Sequence, residues 1–234
     1  PGKRECVYME IWVFLILGTA SLAGSGLIYL AMQRGRHKQQ AYEAFATAQG
    51  WQLETDLAGR SSIQRFRDPV DDWTLDVVFV GAGASGGSTR RRVIWQSPQG
   101  ALCSGEAVLG LPLPEKAVAV LQGGGLIAQQ VLKGALKATI QALGQTKFDL
   151  VLDETSAGDP GGVVIASGGQ ADAMDRVKQS PELAQFRKDR NPAEVPVILR
   201  DAEGLTLRRS GAVRELDELL AIVELGKALR ARAT

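Results

Sequence analysis

Few residues in this chain are of a type and spacing that could carry chemistry. Gly81, Gly83 and Gly86 of the run Gly81-Ala82-Gly83-Ala84-Ser85-Gly86 satisfy a G-x-G-x-x-G spacing directly after the strand-like DVVFV. Glycines so placed let backbone amides approach a pyrophosphate, provided they open a helix inside a βαβ unit. Here Gly87, Ser88, Thr89 and three arginines follow, and then the strand-like Val93-Ile94-Trp95. The next strand arrives before a crossover helix can be built. Glu106 stands near the distance expected of a ribose-binding acid, but that spacing has meaning only with the helix present. The expectation is a Gly/Ser loop closing a β-hairpin, with a nucleotide-dependent enzyme using Gly81 to Gly86 as the alternative.

Arg90, Arg91 and Arg92, with Arg65 and Arg67 on a neighbouring strand, are candidates for a basic patch. Such a patch on a tethered domain would attract anionic lipid headgroups at about 1 kcal/mol per charge near the surface; a solvated strand edge that resists further pairing is the plainer reading. The carboxylate pairs Asp71-Asp72 and Asp153-Glu154, with Asp159 nearby, do not make an acid/base dyad, because neighbours on a strand face opposite ways. They read as turn and strand-end residues. Cys103 has no histidine to activate it and reads as a semi-buried structural thiol. The single histidine, His37, lies between Arg36 and Lys38. With one histidine and two cysteines, Cys6 and Cys103, the chain by itself builds neither a zinc site nor a Ser-His or Cys-His nucleophile system. No cofactor, no metal and no catalytic residue is expected.

The composition narrows the field further. In 234 residues, 27 basic side chains balance 26 acidic ones for a net charge of +1, so no global field draws the chain to nucleic acid. So few cysteines give no disulfide framework and suit a reducing compartment. Arg outnumbers Lys two to one amid much Ala and Gly, a bias resembling high-GC bacterial genes.

The element that places everything else is the apolar run Ile11 to Met32, which holds no charged side chain. At about 1.5 Å per residue it spans a hydrocarbon core roughly 30 Å thick. Ten Leu, Ile, Val or Phe positions favour insertion by roughly 3 to 6 kcal/mol. Trp12 and Tyr29 stand near its two ends, where amphipathic rings meet headgroups. A cleaved secretory signal is the competing reading, with Ser21-Leu22-Ala23 as a processing site. Against it, the apolar character resumes at Leu27 and is stopped by Arg34, Arg36 and Lys38, a stop-transfer pattern. If translation begins at Met9, the upstream flank has no basic residue, and the positive-inside rule puts the N-terminus out and the domain in the cytoplasm. The organisation expected is a leader over 1–10, a transmembrane helix over 11–33, a basic flank and juxtamembrane helix over 34–50, and a soluble α+β domain over 51–234. Sub-lobes over 51–145 and 146–234 are compatible with the pattern.

Within that domain the periodicities predict antiparallel strands and hairpins packed with about four helices. Lys38 to Gln49 reads as a helix closed by Gly50. Trp51 to Glu54, Ser62 to Arg67, Trp73 to Val80, Arg92 to Gln96 and Cys103 to Leu109 read as strands, which together make an antiparallel meander. Glu115 to Leu143 reads as a helix, and Phe148 to Leu152 and Val163 to Ala166 as strands. A helix from Ala171 to Arg187 should break near Gln179 or Ser180, because Pro181 cannot continue it and Ser180 can cap a second segment. Val195 to Arg200 and Leu205 to Arg209 form a hairpin around Asp201-Ala202-Glu203-Gly204. A final amphipathic helix carries Val213, Leu216, Leu219, Leu220, Val223 and Leu229.

The segments FATAQGWQLE, SPELAQFRKDR and VPVILRDAEGLTLRRSGAVRELDELLAIVELGKAL resemble those of uncharacterised bacterial proteins with one N-terminal span and a soluble α+β domain of unknown function. That resemblance covers most of the chain after residue 40 and implies no reaction. The function expected is a non-enzymatic, membrane-tethered interaction or accessory domain in the bacterial inner membrane, with the lipid bilayer and a membrane or cytoplasmic protein as partners. A homo-oligomer is compatible with it, and a small-ligand sensor is a further alternative. Fractionation tests the anchor: the full chain should pellet with membranes and resist alkaline carbonate, whereas a freely dissolved product beginning near Gly24 would refute it.

Overall fold

The computed structural model describes residues 29–30, 32–59, 61–82, 89–102, 105–111, 134, 154–156, 164–167, 170–188, 190–191 and 194–233. These divide after Gln49 into two units. In the first, residues 29–30 are helical and 32–49 form α1, along which Tyr29, Arg34, Arg36 and Lys38 are exposed. Lys38 Nζ lies 5.3 Å from the centroid of the Tyr42 ring, and Thr47 Oγ1 donates to the Glu43 carbonyl at 2.8 Å, local contacts at the four-residue spacing of a helix face. Gly50 follows with φ 73°, the left-handed conformation that ends helices and that glycine adopts without strain. Among the described residues no helix is long and apolar enough to cross a membrane. The expected span, Trp12 included, lies almost wholly outside them.

The second unit is α+β. Among the described residues nine strands, β1 (Gln52–Ala58), β2 (Ser61–Arg67), β3 (Thr74–Val80), β4 (Arg90–Ser97), β5 (Ala107–Leu109), β6 (Glu154–Ser156), β7 (Val164–Ala166), β8 (Val197–Asp201) and β9 (Gly204–Ser210), form one sheet. Its order is β1-β2-β3-β4-β9-β8-β5-β7-β6, and every described pairing is antiparallel. The expected meander is therefore present as β1 to β4, but β5, expected to continue it, pairs with β8 and β7 instead. The β8–β9 hairpin, made late in the chain, inserts between β4 and β5. Its turn is held by Asp201, whose Oδ1 accepts the amides of Glu203 at 2.8 Å and Gly204 at 3.2 Å.

Register explains the core. Leu53, Phe66, Leu75, Trp95, Leu207, Ile198, Leu109 and Val164 stand opposite one another in turn across eight strands. Residues directly opposite share a face, so one apolar row crosses the sheet, and all but Leu53 in it are buried. Three helices accompany the sheet: α2 (Ala171–Lys178), α3 (Pro181–Lys188) and α4 (Leu216–Ala233). The break expected at Ser180 is observed, and Ser180 Oγ accepts the Leu183 amide at 3.3 Å as an N-cap. Along α4, Leu219, Ile222, Val223, Gly226, Leu229 and Ala233 recur at three- and four-residue spacing and are buried. This stripe packs on β4 and β9, with α2 and α3 against it.

Some boundaries differ from the sequence reading. Strand β4 begins at Arg90 rather than Arg92, since pairing with β3 continues to Val80 opposite Arg90, beyond the reach of β9, whose pairing starts at Arg92. The segment from Cys103 is a strand only over Ala107–Leu109, and Val213 precedes α4 instead of lying in it. Glu154, read as a strand-end residue, opens β6. Of the helix expected over 115–143 only Gly134 is described, and it is helical; the strand over 148–152 lies outside the described residues.

Helix α4 approaches Trp95 closely in the core. A Cβ placed on Gly226 would lie 2.4 Å from the Trp95 ring, and that ring is fully buried. On helix propensity alone Gly226→Ala would gain about 1 kcal/mol. Overpacking reverses the sign: the variant should lose about 1–3 kcal/mol, measured as a lower midpoint in urea unfolding.

Candidate functional site

The glycine-rich segment closes a hairpin. β3 ends at Val80, β4 begins at Arg90, and these two residues are antiparallel partners. Gly81 and Ala82 follow the strand as coil, while Gly83 and Gly86 lie outside the described residues. An antiparallel return leaves no place for the crossover helix on which a dinucleotide site depends.

Three arginines occupy the start of β4. Alternation along the strand sends Arg90 and Arg92 to one face and Arg91 to the other. Arg91 stacks over its cross-strand partner Phe79, guanidinium carbon 5.5 Å from the ring centroid. On the opposite side of β4, β9 places Ser210 opposite Arg92, and the Gly211 amide donates to the Arg91 carbonyl at 2.9 Å. Between the two strand ends is an open concavity of about 560 Å³ lined by Arg90, Arg91, Arg92, Ser210, Gly211 and Ala212.

Arg65 and Arg67 do not join this group. The meander sets β3 between β2 and β4, and Arg65 turns to Asp76 on β3, donating at 2.8 Å from Nε and 2.7 Å from Nη2. That bond, opposed by partial burial and aided by the Asp76, Glu54 and Asp56 charges, raises the Arg65 pKa. Arg92 differs. Burial, and then the neighbouring charge of Arg90, lower its pKa. Arg208, on the same face one strand away, is lowered by burial first and by Arg92 second, against the pull of Asp201 and Glu203.

Elsewhere in the unit cations meet carboxylates. Arg230 donates to the Asp71 carbonyl at 2.9 Å and to its Oδ1 at 2.6 Å. Lys227 lies 3.6 Å from Asp71 and 3.8 Å from Asp68. Asp68 Oδ1 in turn accepts the amides of Val70 and Asp71, at 2.9 and 3.2 Å, and so shapes the β2–β3 turn. Asp71, read from sequence as a turn residue, is thus a structural anchor for α4. Arg232 and Glu182 tie α4 to α3 with bonds of 2.9 and 2.8 Å. Arg209, on the opposite face of β9 from Arg208, meets Glu218 of α4. Among the described residues Arg90, Arg91 and Arg92 form no ion pair.

The sequence singled out the arginines but not Ser210, Gly211 or Ala212, which a non-local strand pairing brings beside them. Trp51, Trp73 and Trp95 are core aromatics, with Trp51 and Trp73 edge to face at 4.9 Å. No group of His, Cys, Asp or Glu among the described residues is arranged to hold a metal, and Cys103 lies outside them. Comparison with protein-family models, with characterised proteins and with solved structures found no match.

Burial raises the Glu218 pKa, but the Arg209 hydrogen bond and charge, with amide bonds from Arg214 and Glu215, outweigh it and leave the carboxyl below its ordinary value. A lowered folded value means stability present above about pH 4.5 and lost as pH falls through the folded pKa. Glu218→Gln should therefore flatten part of the fall in Tm between about pH 5.5 and 3, measured by thermal melts across that range.

Proposed function

We propose that this chain is a membrane-tethered, non-enzymatic interaction domain. In this reading the run Ile11 to Met32 holds it in a bacterial inner membrane with the α+β domain on the cytoplasmic side, and strand β1 receives an extended segment of a partner protein. One observation supports the reading above others: β1 is the terminal strand of the sheet, and every residue in it except Leu53 is exposed. An edge of this kind offers unpaired amides and carbonyls to another chain, the arrangement used in β-strand addition.

The side chains narrow the partner. Glu54 and Asp56 share one face, and only Arg65 among their cross-strand neighbours answers them. Leu57, on the other face, is 75% exposed and gives an incoming strand an apolar contact. Antiparallel self-pairing centred on Thr55 would set Glu54 directly against Asp56 of a second copy, a like-charge placement that is destabilising. The complement is a strand with Lys or Arg at alternate positions and an apolar residue between them. A second reading, a small-ligand binding module, draws on a separate observation, the arginine-lined concavity at the β4 and β9 ends.

A photo-crosslinking amino acid at Thr55 of the full chain in membranes tests the first reading. A discrete adduct with one other protein is expected, reduced at least fivefold by Glu54→Lys with Asp56→Lys. An adduct unaffected by that charge reversal, or adducts arising only from positions away from β1, would refute it.

A further inference from the structure

We propose that the concavity at the ends of β4 and β9 is a binding site for a phosphate group, with Arg90, Arg92 and the Ser210 hydroxyl as its donors. The case begins with the arginines of this unit that meet carboxylates. Arg65 is answered by Asp76, Arg209 by Glu218, Arg230 by Asp71 and Arg232 by Glu182. The β4 end differs from these: three consecutive arginines stand together with no ion pair among the described residues.

Position makes the exception specific. Arg90 and Arg92 are two residues apart on one strand, so their Cβ atoms share a face roughly 7 Å apart, a spacing that two long guanidinium side chains close onto a single tetrahedral anion. Ser210 stands opposite Arg92 and adds a hydroxyl donor to the same face. Arg92 is half-buried, and like-charge repulsion from Arg90 adds to the cost of that burial. An anion between them removes both penalties. Guanidinium presents paired N–H groups that match two oxygens of a phosphate, a fit that ammonium lacks. Arg91 is held away on Phe79, so it contributes charge to the rim while the other two grip. The concavity, about 560 Å³, accommodates a phosphate with a small organic substituent.

The phosphate could belong to a lipid headgroup or to a soluble monoester, and titration distinguishes them. The full chain in uncharged detergent would be titrated at constant ionic strength with inorganic phosphate, glycerol 3-phosphate and a short-chain phosphatidylglycerol, with sodium chloride as the reference. Binding of at least one phosphate probe, with a rise in Tm over chloride, is expected. Tighter binding of phosphatidylglycerol than of glycerol 3-phosphate assigns the site to headgroups; the reverse assigns it to soluble phosphates.

Arg90→Gln with Arg92→Gln should weaken binding at least about tenfold, and Ser210→Ala severalfold. Arg90 is exposed, so Arg90→Gln alone preserves the fold and should still cost about threefold. Arg65→Gln, at an exposed arginine already matched by Asp76, should change affinity less than about twofold. Binding no stronger than that of chloride for every probe, or binding equal in the double variant and in wild type, would overturn the proposal.

Discussion

The packing of α4 onto Trp95 is the constraint on which the rest of this unit depends. Trp95 is the middle of the apolar row that runs from Leu53 to Val164, and Gly226 lets the helix axis come close enough to cover it. Any side chain at 226 would lift the helix from the sheet. The cations that fix α4 along its length all assume that separation: Arg230 and Lys227 reach the β2–β3 turn, and Glu218 reaches Arg209 on β9. Arg200 also depends on it, donating to the carbonyls of Gly100 at 2.7 Å and of Ala233 at the helix end. A buried arginine whose Nε and Nη2 donate to carbonyls is stable only while those carbonyls stay in place.

Strand alternation then sorts the charges of β9 and β4 between two environments. Arg209 and Arg208 are neighbours in sequence, yet one faces α4 and a carboxylate and the other faces away. On the face under α4, an apolar layer, Arg209 meets Glu218 and Arg91 stacks on Phe79. The opposite face, along Arg208, Arg92 and Arg90, holds cations close to one another. Proteins rarely leave like charges partly desolvated together without use, because each costs stability that opposite partners or solvent would restore. The contrast between the faces, more than the number of arginines, marks the β4 end as the chemically distinctive part of the sheet.

Local chemistry made much of the fold legible. Pro181 with Ser180 before it forces a helix break and caps the next segment, and Asp201 to Gly204 carries the turn chemistry of a hairpin. Gly50 after an amphipathic helix marks its end. The β1 to β4 meander follows from short alternating runs separated by turns. Non-local register was not legible. Nothing in the types of residues 90–97 says that their second neighbour is 205–210 rather than a strand nearer in sequence, so Ser210 could not be set beside Arg92. Arg65 and the β4 arginines are near in sequence but lie two strands apart in the sheet. The intervening β3 carries Asp76, which answers Arg65 instead. Gly226 was hidden for a similar reason: a glycine in a helix looks like a weakness until its partner across the interface is known.

The same non-local pairing bears on how the site comes into being. Residues 50–97 supply β1 to β4 but only half of the apolar row, since Leu207, Ile198 and the α4 stripe arrive from the last forty residues of the described chain. Until β9 docks, β4 is an open edge with Trp95 uncovered, and Arg90 to Arg92 face no second strand. Contacts of such sequence separation form late, because loop closure must be met before they contribute. The arginine-lined concavity is thus a product of the completed sheet. An arginine cluster carried on a continuous helix or loop would exist as soon as its segment was made; this one requires both strands, so any anion that binds it stabilises the β4–β9 junction that closes the core.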